Sequence, residues 1–91
     1  MASVNLEFRK LLKEGIHSAA KRQRVTVAEI RARIGNLLCL SDWGVQYYTK
    51  GHIPKMYPHY LETMITFILE QGRVADDWEA EIRAIAESSK Q

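Results

Sequence analysis

The stretch TVAEIRARIGNLLCLSDWGVQYYTKG, from Thr26 to Gly51, decides the fold. It opens on Thr26-Val27-Ala28-Glu29, the spacing of a capping box, in which a threonine hydroxyl and a glutamate side chain satisfy backbone amides that a first helical turn leaves without partners. A helix is therefore expected from Val27, with Val27, Ile30 and Ile34 on its inner face and Gly35 closing it in a left-handed conformation. Asn36-Leu37-Leu38-Cys39-Leu40 is too apolar for a solvated loop and too short for an element of its own, so it reads as a connector packed down on the core. Ser41 offers a second N-cap, and Asp42 suits the first turn of a helix that runs to about Lys50 and ends at Gly51. Val45 and Tyr48 point inward at i, i+3 spacing, and Asp42, Trp43, Gln46, Tyr47, Thr49 and Lys50 point outward.

Working outward, Phe8, Leu12, Ile16 and Ala19 repeat at helical spacing, with Leu11 and Ala20 beside them. They predict a first helix over about Asn5 to Gln23, with Asn5 as N-cap, Glu7 in the first turn and Gly15 as its one weak point. On the other side, His52-Ile53-Pro54-Lys55 is a turn, because proline disfavours helical geometry in the residue before it. Pro58 suits a first helical position, and Leu61, Met64, Ile65, Ile68 and Leu69 form the stripe of a fourth helix that Gly72 closes. Asp76 or Asp77 starts a fifth, with Trp78, Ile82 and Ile85 inward and fraying from Ser88 onward. No period-two alternation competes, so the expected fold is all-α: a compact five-helix bundle over residues 1–91, one domain with its core over about 5–87 and a frayed tail at 88–91.

Ninety-one residues suffice for one core, and 46% hydrophobic with 26% charged residues is a globular composition. No apolar run approaches a bilayer span or a signal-peptide core, and the single cysteine allows no internal disulfide, so a reducing cytoplasm without membrane association is expected. Cys39 lies in an apolar string and reads as a small buried thiol. The net charge of +2 conceals an asymmetry: up to Lys55 there are ten Lys and Arg against four Asp and Glu, and from Met56 three against seven. A basic front half is the electrostatic footprint expected for a polyanion, although a solvated mixed surface also produces it.

Catalytic and metal chemistry find no support in the sequence. His17, His52 and His59 fall on three separate segments, without the spacing of a helical or finger-type metal site. There is no phosphate-cradling glycine loop with its lysine, and Asp76-Asp77 and Glu79-Glu81 read as an acidic helix start and a solvated face. The chain is therefore expected to be no enzyme, with no metal and no cofactor.

Thr26-x-x-Glu29, Ile30, Ile34-Gly35, Ser41, Val45, Tyr48, Gly51 and Pro54 together make the chain resemble the phage-repressor-like (Xre-type) helix-turn-helix family, over roughly Leu6 to Trp78. More narrowly, Val45 to Pro54 is similar to the N-terminal helix-turn-helix of bacterial STAND-type NTPases. The first resemblance implies a lambda-repressor-like DNA-binding domain of a bacterial regulator, with residues 42–50 as recognition helix. In that reading Gln46 and Tyr47 reach base edges of double-stranded DNA, Ser41, Thr49 and Lys50 contact base or backbone, Arg24 and Lys55 neutralise phosphates, and Thr26 belongs to the same nucleic-acid-binding set. Such domains also imply a homodimer, for which the fifth-helix stripe is a candidate seam, although a chain this small needs that stripe for its core. Two departures stand against base reading: four extra residues, Asn36 to Cys39, in the turn, and Asp42, Trp43 and Gly44 at the start of the recognition helix. The alternative is a protein-protein interaction module, adaptor or homotypic, of a STAND-type signalling protein, using Asp42, Trp43, Tyr47 and Lys50.

Overall fold

A computed structural model describes residues 4–88 and folds them into five helices: α1 Leu6–Gln23, α2 Val27–Leu38, α3 Asp42–Thr49, α4 Pro58–Gln71 and α5 Trp78–Ser88. No strand occurs among the described residues. The fold is all-α, as the periodicity predicts. The expected tail at 89–91 lies outside the described residues, and Ser88 is the last residue of α5, its hydroxyl donating to the Ile85 carbonyl at 3.1 Å.

α1 is the central element and packs against each of the other four. Its buried side is wide, comprising Phe8, Leu11, Leu12, Gly15, Ile16, Ala19 and Ala20, which is why four neighbours find apolar surface on it. Asn5 caps it, its side-chain oxygen accepting from the Phe8 amide at 2.9 Å. Gly15 does not interrupt the helix. A β-carbon there would come within 2.8–2.9 Å of Ile68 and Trp78, so the glycine sets the close approach of α4 and α5 at a propensity cost of roughly 1 kcal/mol.

α2 departs from the expected boundary. It does not stop at Gly35 but continues one turn further to Leu38, and the residue in the left-handed conformation is Cys39, at φ 58°. The amides of Cys39 and Leu40 both close on the Gly35 carbonyl. Gly35 is helical and buried because a β-carbon would sit 2.8 Å from the Leu40 carbonyl oxygen and 3.4 Å from Val45, so its absence lets the following turn fold back tightly. The presumed connector is therefore mostly helix: Leu38 is buried, Leu40 packs against the core, Leu37 projects into solvent, and Cys39 is exposed rather than buried. The link between α2 and α3 shrinks to Cys39-Leu40-Ser41, and the four-residue insertion expected there is absent.

α4 begins on Pro58 and buries Met64, Ile65, Phe67 and Ile68. Leu69, expected inward, is exposed. With about 100° per residue the buried arc is centred between Met64 and Ile68, which leaves Phe67 inside and turns Leu69 about 120° away. Gly72 ends α4 with extended rather than left-handed backbone. Side chains of α1 cap that end: Arg22 Nη1 donates to the Gly72 carbonyl at 3.1 Å, Gln23 Nε2 donates to that of Gln71 at 3.2 Å, and the Ser18 hydroxyl donates to the Arg73 carbonyl and accepts from the Arg73 amide. α5 lies on α1 through Trp78, Ile82 and Ala86, with Ile85 partly buried against the core, so its stripe is spent inside the monomer.

Candidate functional site

α3 is short, and its two ends fix what it can present. At the start, Ser41 Oγ accepts from the Gly44 amide at 3.4 Å. At the far end, Gly51 adopts φ +117° and its carbonyl accepts from the Asn5 amide at 2.9 Å, which ties the end of α3 to the start of α1. Val45, Tyr48 and Thr49 are buried.

The residues proposed to read DNA are mostly engaged elsewhere. Thr49 is buried rather than outward, and its hydroxyl donates to the Gln46 carbonyl at 2.9 Å; it faces a recess of about 170 Å³ shared with Ile16, His17, Val27 and Arg31. Gln46 Nε2 donates to Asp42 Oδ2 at 2.5 Å, so its amide is held along the helix. Ser41 and Thr26 serve as caps, Thr26 Oγ1 accepting from the Glu29 amide at 3.1 Å, while the Glu29 carboxylate lies 3.5 Å from Arg33. Arg24 is the left-handed cap of α1 (φ 58°) and is exposed, as are Lys50 and Lys55. Asp42 Oδ1 accepts from Arg31 Nε at 3.3 Å. The Gln46 hydrogen bond and then the Arg31 guanidinium hold the Asp42 carboxyl below the usual carboxylate range. The clamp is therefore complete above the ordinary aspartate pKa and is lost only as pH falls through the lowered one.

Of the other predicted set, Trp43, Tyr47 and Lys50 are exposed on α3, whereas Asp42 is held by Gln46 and Arg31. Trp43 is 77% exposed, Tyr47 47% exposed, and Lys50 Nζ lies 5.9 Å from the centre of the Trp43 ring, within cation–π range. Tyr47 stacks on His52 with ring centres 3.9 Å apart and planes 5° from parallel. From Tyr47 the ring contacts continue edge-on to Tyr48, then to Tyr60, and by stacking to Tyr57, with His59 against both Tyr57 and Tyr60. Burial and the neighbouring phenols push the Tyr48 hydroxyl pKa up. Sequence reasoning missed the second half of this surface: Met56, 84% exposed, and Tyr57, 48% exposed. The signal was present, since both precede Pro58 outside any helical stripe, where a large apolar side chain has no core position to occupy.

Among the described residues no three His, Cys, Asp or Glu side chains are grouped as metal ligands, and no helix is long and apolar enough to cross a membrane. No protein-family model, curated protein or solved structure matches the chain.

Proposed function

We propose that the chain is a non-enzymatic recognition module, a helix-turn-helix of the phage-repressor-like kind, in which α2 and α3 frame a surface that docks a protein partner. The observation that carries the reading is the exposure of Trp43, Tyr47, Met56 and Tyr57 on α3 and the segment leading into α4. Large apolar side chains left in water forgo roughly 1.5–3 kcal/mol each relative to burial, and Trp and Tyr are the residues that dominate protein interfaces. Lys50, Lys55 and the clamped Asp42 supply a polar rim. Three of the side chains that a base-reading helix would use are already committed: Gln46 to Asp42, Thr49 to the interior and Ser41 to the cap. A cytoplasmic adaptor or homotypic role fits this surface and the STAND resemblance.

Trp43→Ala is expected to weaken capture of the bound partner at least about 30-fold, an anchor loss on the order of 2 kcal/mol. Quantitative pull-down followed by calorimetry on the recovered partner measures it, with exposed Lys10→Ala as the neutral control. Equal capture by both variants would overturn the reading.

A second reading, duplex DNA, draws on two observations. The three-residue link removes the insertion that set this chain apart from the base-reading repressors it resembles, and Arg31 masks the Asp42 charge. If Arg24, Lys50 and Lys55 each neutralised one phosphate, log K would fall with log salt at a slope of about −2.7 on mixed-sequence duplex. The docking reading expects no such binding at low salt. A slope of that size, reduced by Lys50→Glu, would transfer the proposal to DNA.

A further inference from the structure

Between α2 and α4 runs an open groove of about 720 Å³, away from the outer face of α3. Its floor is Phe67, its α2 wall carries Arg33 and Leu37, and its α4 wall carries Thr63, Thr66 and Glu70. Leu37 stands 58% exposed on the last turn of α2, although the residue after it, Leu38, is buried. The extension of α2 past Gly35 creates this feature, because it puts Leu37 on a helix rim one turn beyond Arg33. The two walls carry opposite charge. Arg33 has only an exposed i, i+4 contact with Glu29 at 3.5 Å, an arrangement worth little and easily exchanged. Across the groove Glu62 is occupied by Arg83, whereas Glu70 has no ion-pair partner among the described residues.

We infer that this groove is the seat of an isologous contact with a second copy of the chain, in which each copy inserts Leu37 against the other's Phe67 and sets Arg33 beside the other's Glu70. The argument is self-complementarity. The groove's own α2 wall holds a projecting apolar side chain and a loosely held cation, and its α4 wall holds the apolar floor and the free carboxylate. A twofold axis satisfies both at once, as a closed pair requires. Because α5 is spent on the core, its stripe does not compete for this role.

Charge exchange tests the contact in a way that general surface stickiness cannot imitate. Sedimentation equilibrium of the whole chain from micromolar to millimolar concentration is expected to show a monomer–dimer equilibrium. Leu37→Asp weakens it at least tenfold. Arg33→Glu and Glu70→Arg each weaken it alone, since each sets like charges together twice, whereas an equimolar mixture of the two restores it as a heterodimer. All three positions lie at the surface, and circular dichroism checks that each variant is folded. A wild type that stays monomeric at millimolar concentration overturns the inference, as does a mixture no tighter than its components. The outcome is separable from the docking proposal. Trp43→Ala leaves the dimer intact if the inference holds; a dimer lost with Trp43→Ala but kept with Leu37→Asp would move the contact to the α3 face and reject the groove.

Discussion

Trp78→Ala is expected to destabilise the domain by about 3–5 kcal/mol, the range for removing a fully buried tryptophan. The indole is 1% exposed, lies on α1 beside Gly15, and donates its N–H to the Leu11 carbonyl at 2.7 Å, 67 residues away in sequence. It therefore holds α5 to α1 by packing and by a hydrogen bond shielded from water. A domain of this length has a total stability of roughly 5–14 kcal/mol, so the substitution removes a large fraction of it. Tm should fall by roughly 15–35 °C in thermal unfolding followed by circular dichroism. Trp78→Phe keeps most of the ring volume but loses the donor, and should cost about 1–2 kcal/mol. A Trp78→Ala protein that melts within a few degrees of wild type would mean that α5 adds nothing to the core.

The same residue shows why much of the fold was legible. Trp78, Ile82, Met64, Ile68, Ile16 and Phe8 stand at helical spacing, each in a stripe wide enough to require a neighbour, and the structure buries all of them. Caps were legible for an equally local reason: Asn5, Thr26 and Ser41 each accept from the amide three residues on, a bond that depends only on sequence separation. Helix ends with tertiary causes were not. Gly35 has the sequence signature of a stop, yet it is a helical residue whose missing β-carbon admits the Leu40 carbonyl, and that contact exists only once α3 has folded back. Ile30, Ile34 and Leu38 continue the i, i+4 pattern across it, and the pattern outweighs the glycine because burying Leu38 is worth more than glycine's propensity penalty.

The site was legible in type and less so in membership. Trp43, Tyr47 and Lys50 face outward as their spacing predicts, because about 100° per residue leaves no other side once Val45 and Tyr48 point inward. Thr49 was misplaced for a reason that single-helix geometry cannot supply. It lies at the edge of the inward arc, and the neighbouring α1 and α2 side chains around it close over that edge. The commitment of Gln46 to Asp42 is likewise a side-chain choice that spacing permits without requiring. These two details shift the balance from base reading toward docking, since they withdraw polar groups from the face and leave its aromatic ones.

Gly51→Ala is the second large effect, expected to cost about 3–5 kcal/mol, and its cause is backbone rather than core. Gly51 sits at φ +117°, a region where an L side chain is strained by about 1–3 kcal/mol. The added β-carbon would also lie 2.6 Å from Val4 Cγ1, 2.7 Å from the Asn5 carbonyl oxygen and 3.2 Å from the Asn5 nitrogen. Overpacking of this kind typically adds 1–3 kcal/mol, and here two of the three atoms are backbone and cannot rotate aside. Asn5 is the cap of α1 and donates its amide to the Gly51 carbonyl, so relief by moving the chain apart would break that bond and disturb the start of the central helix. Urea unfolding measures the loss, and the double variant Val4→Ala, Gly51→Ala separates its parts. Removing the valine methyls relieves only the side-chain clash, so recovery should be partial; full recovery would show that strain at Gly51 is negligible. The link to the surface is direct, because His52 follows Gly51 and stacks on Tyr47. A backbone shifted at Gly51 should release that stack, seen as a change in the His52 ring resonances even in the fraction that remains folded, while Trp78→Ala, whose indole contacts Leu11 and Gly15 and not the Gly51 turn, should leave those resonances unshifted in its folded fraction.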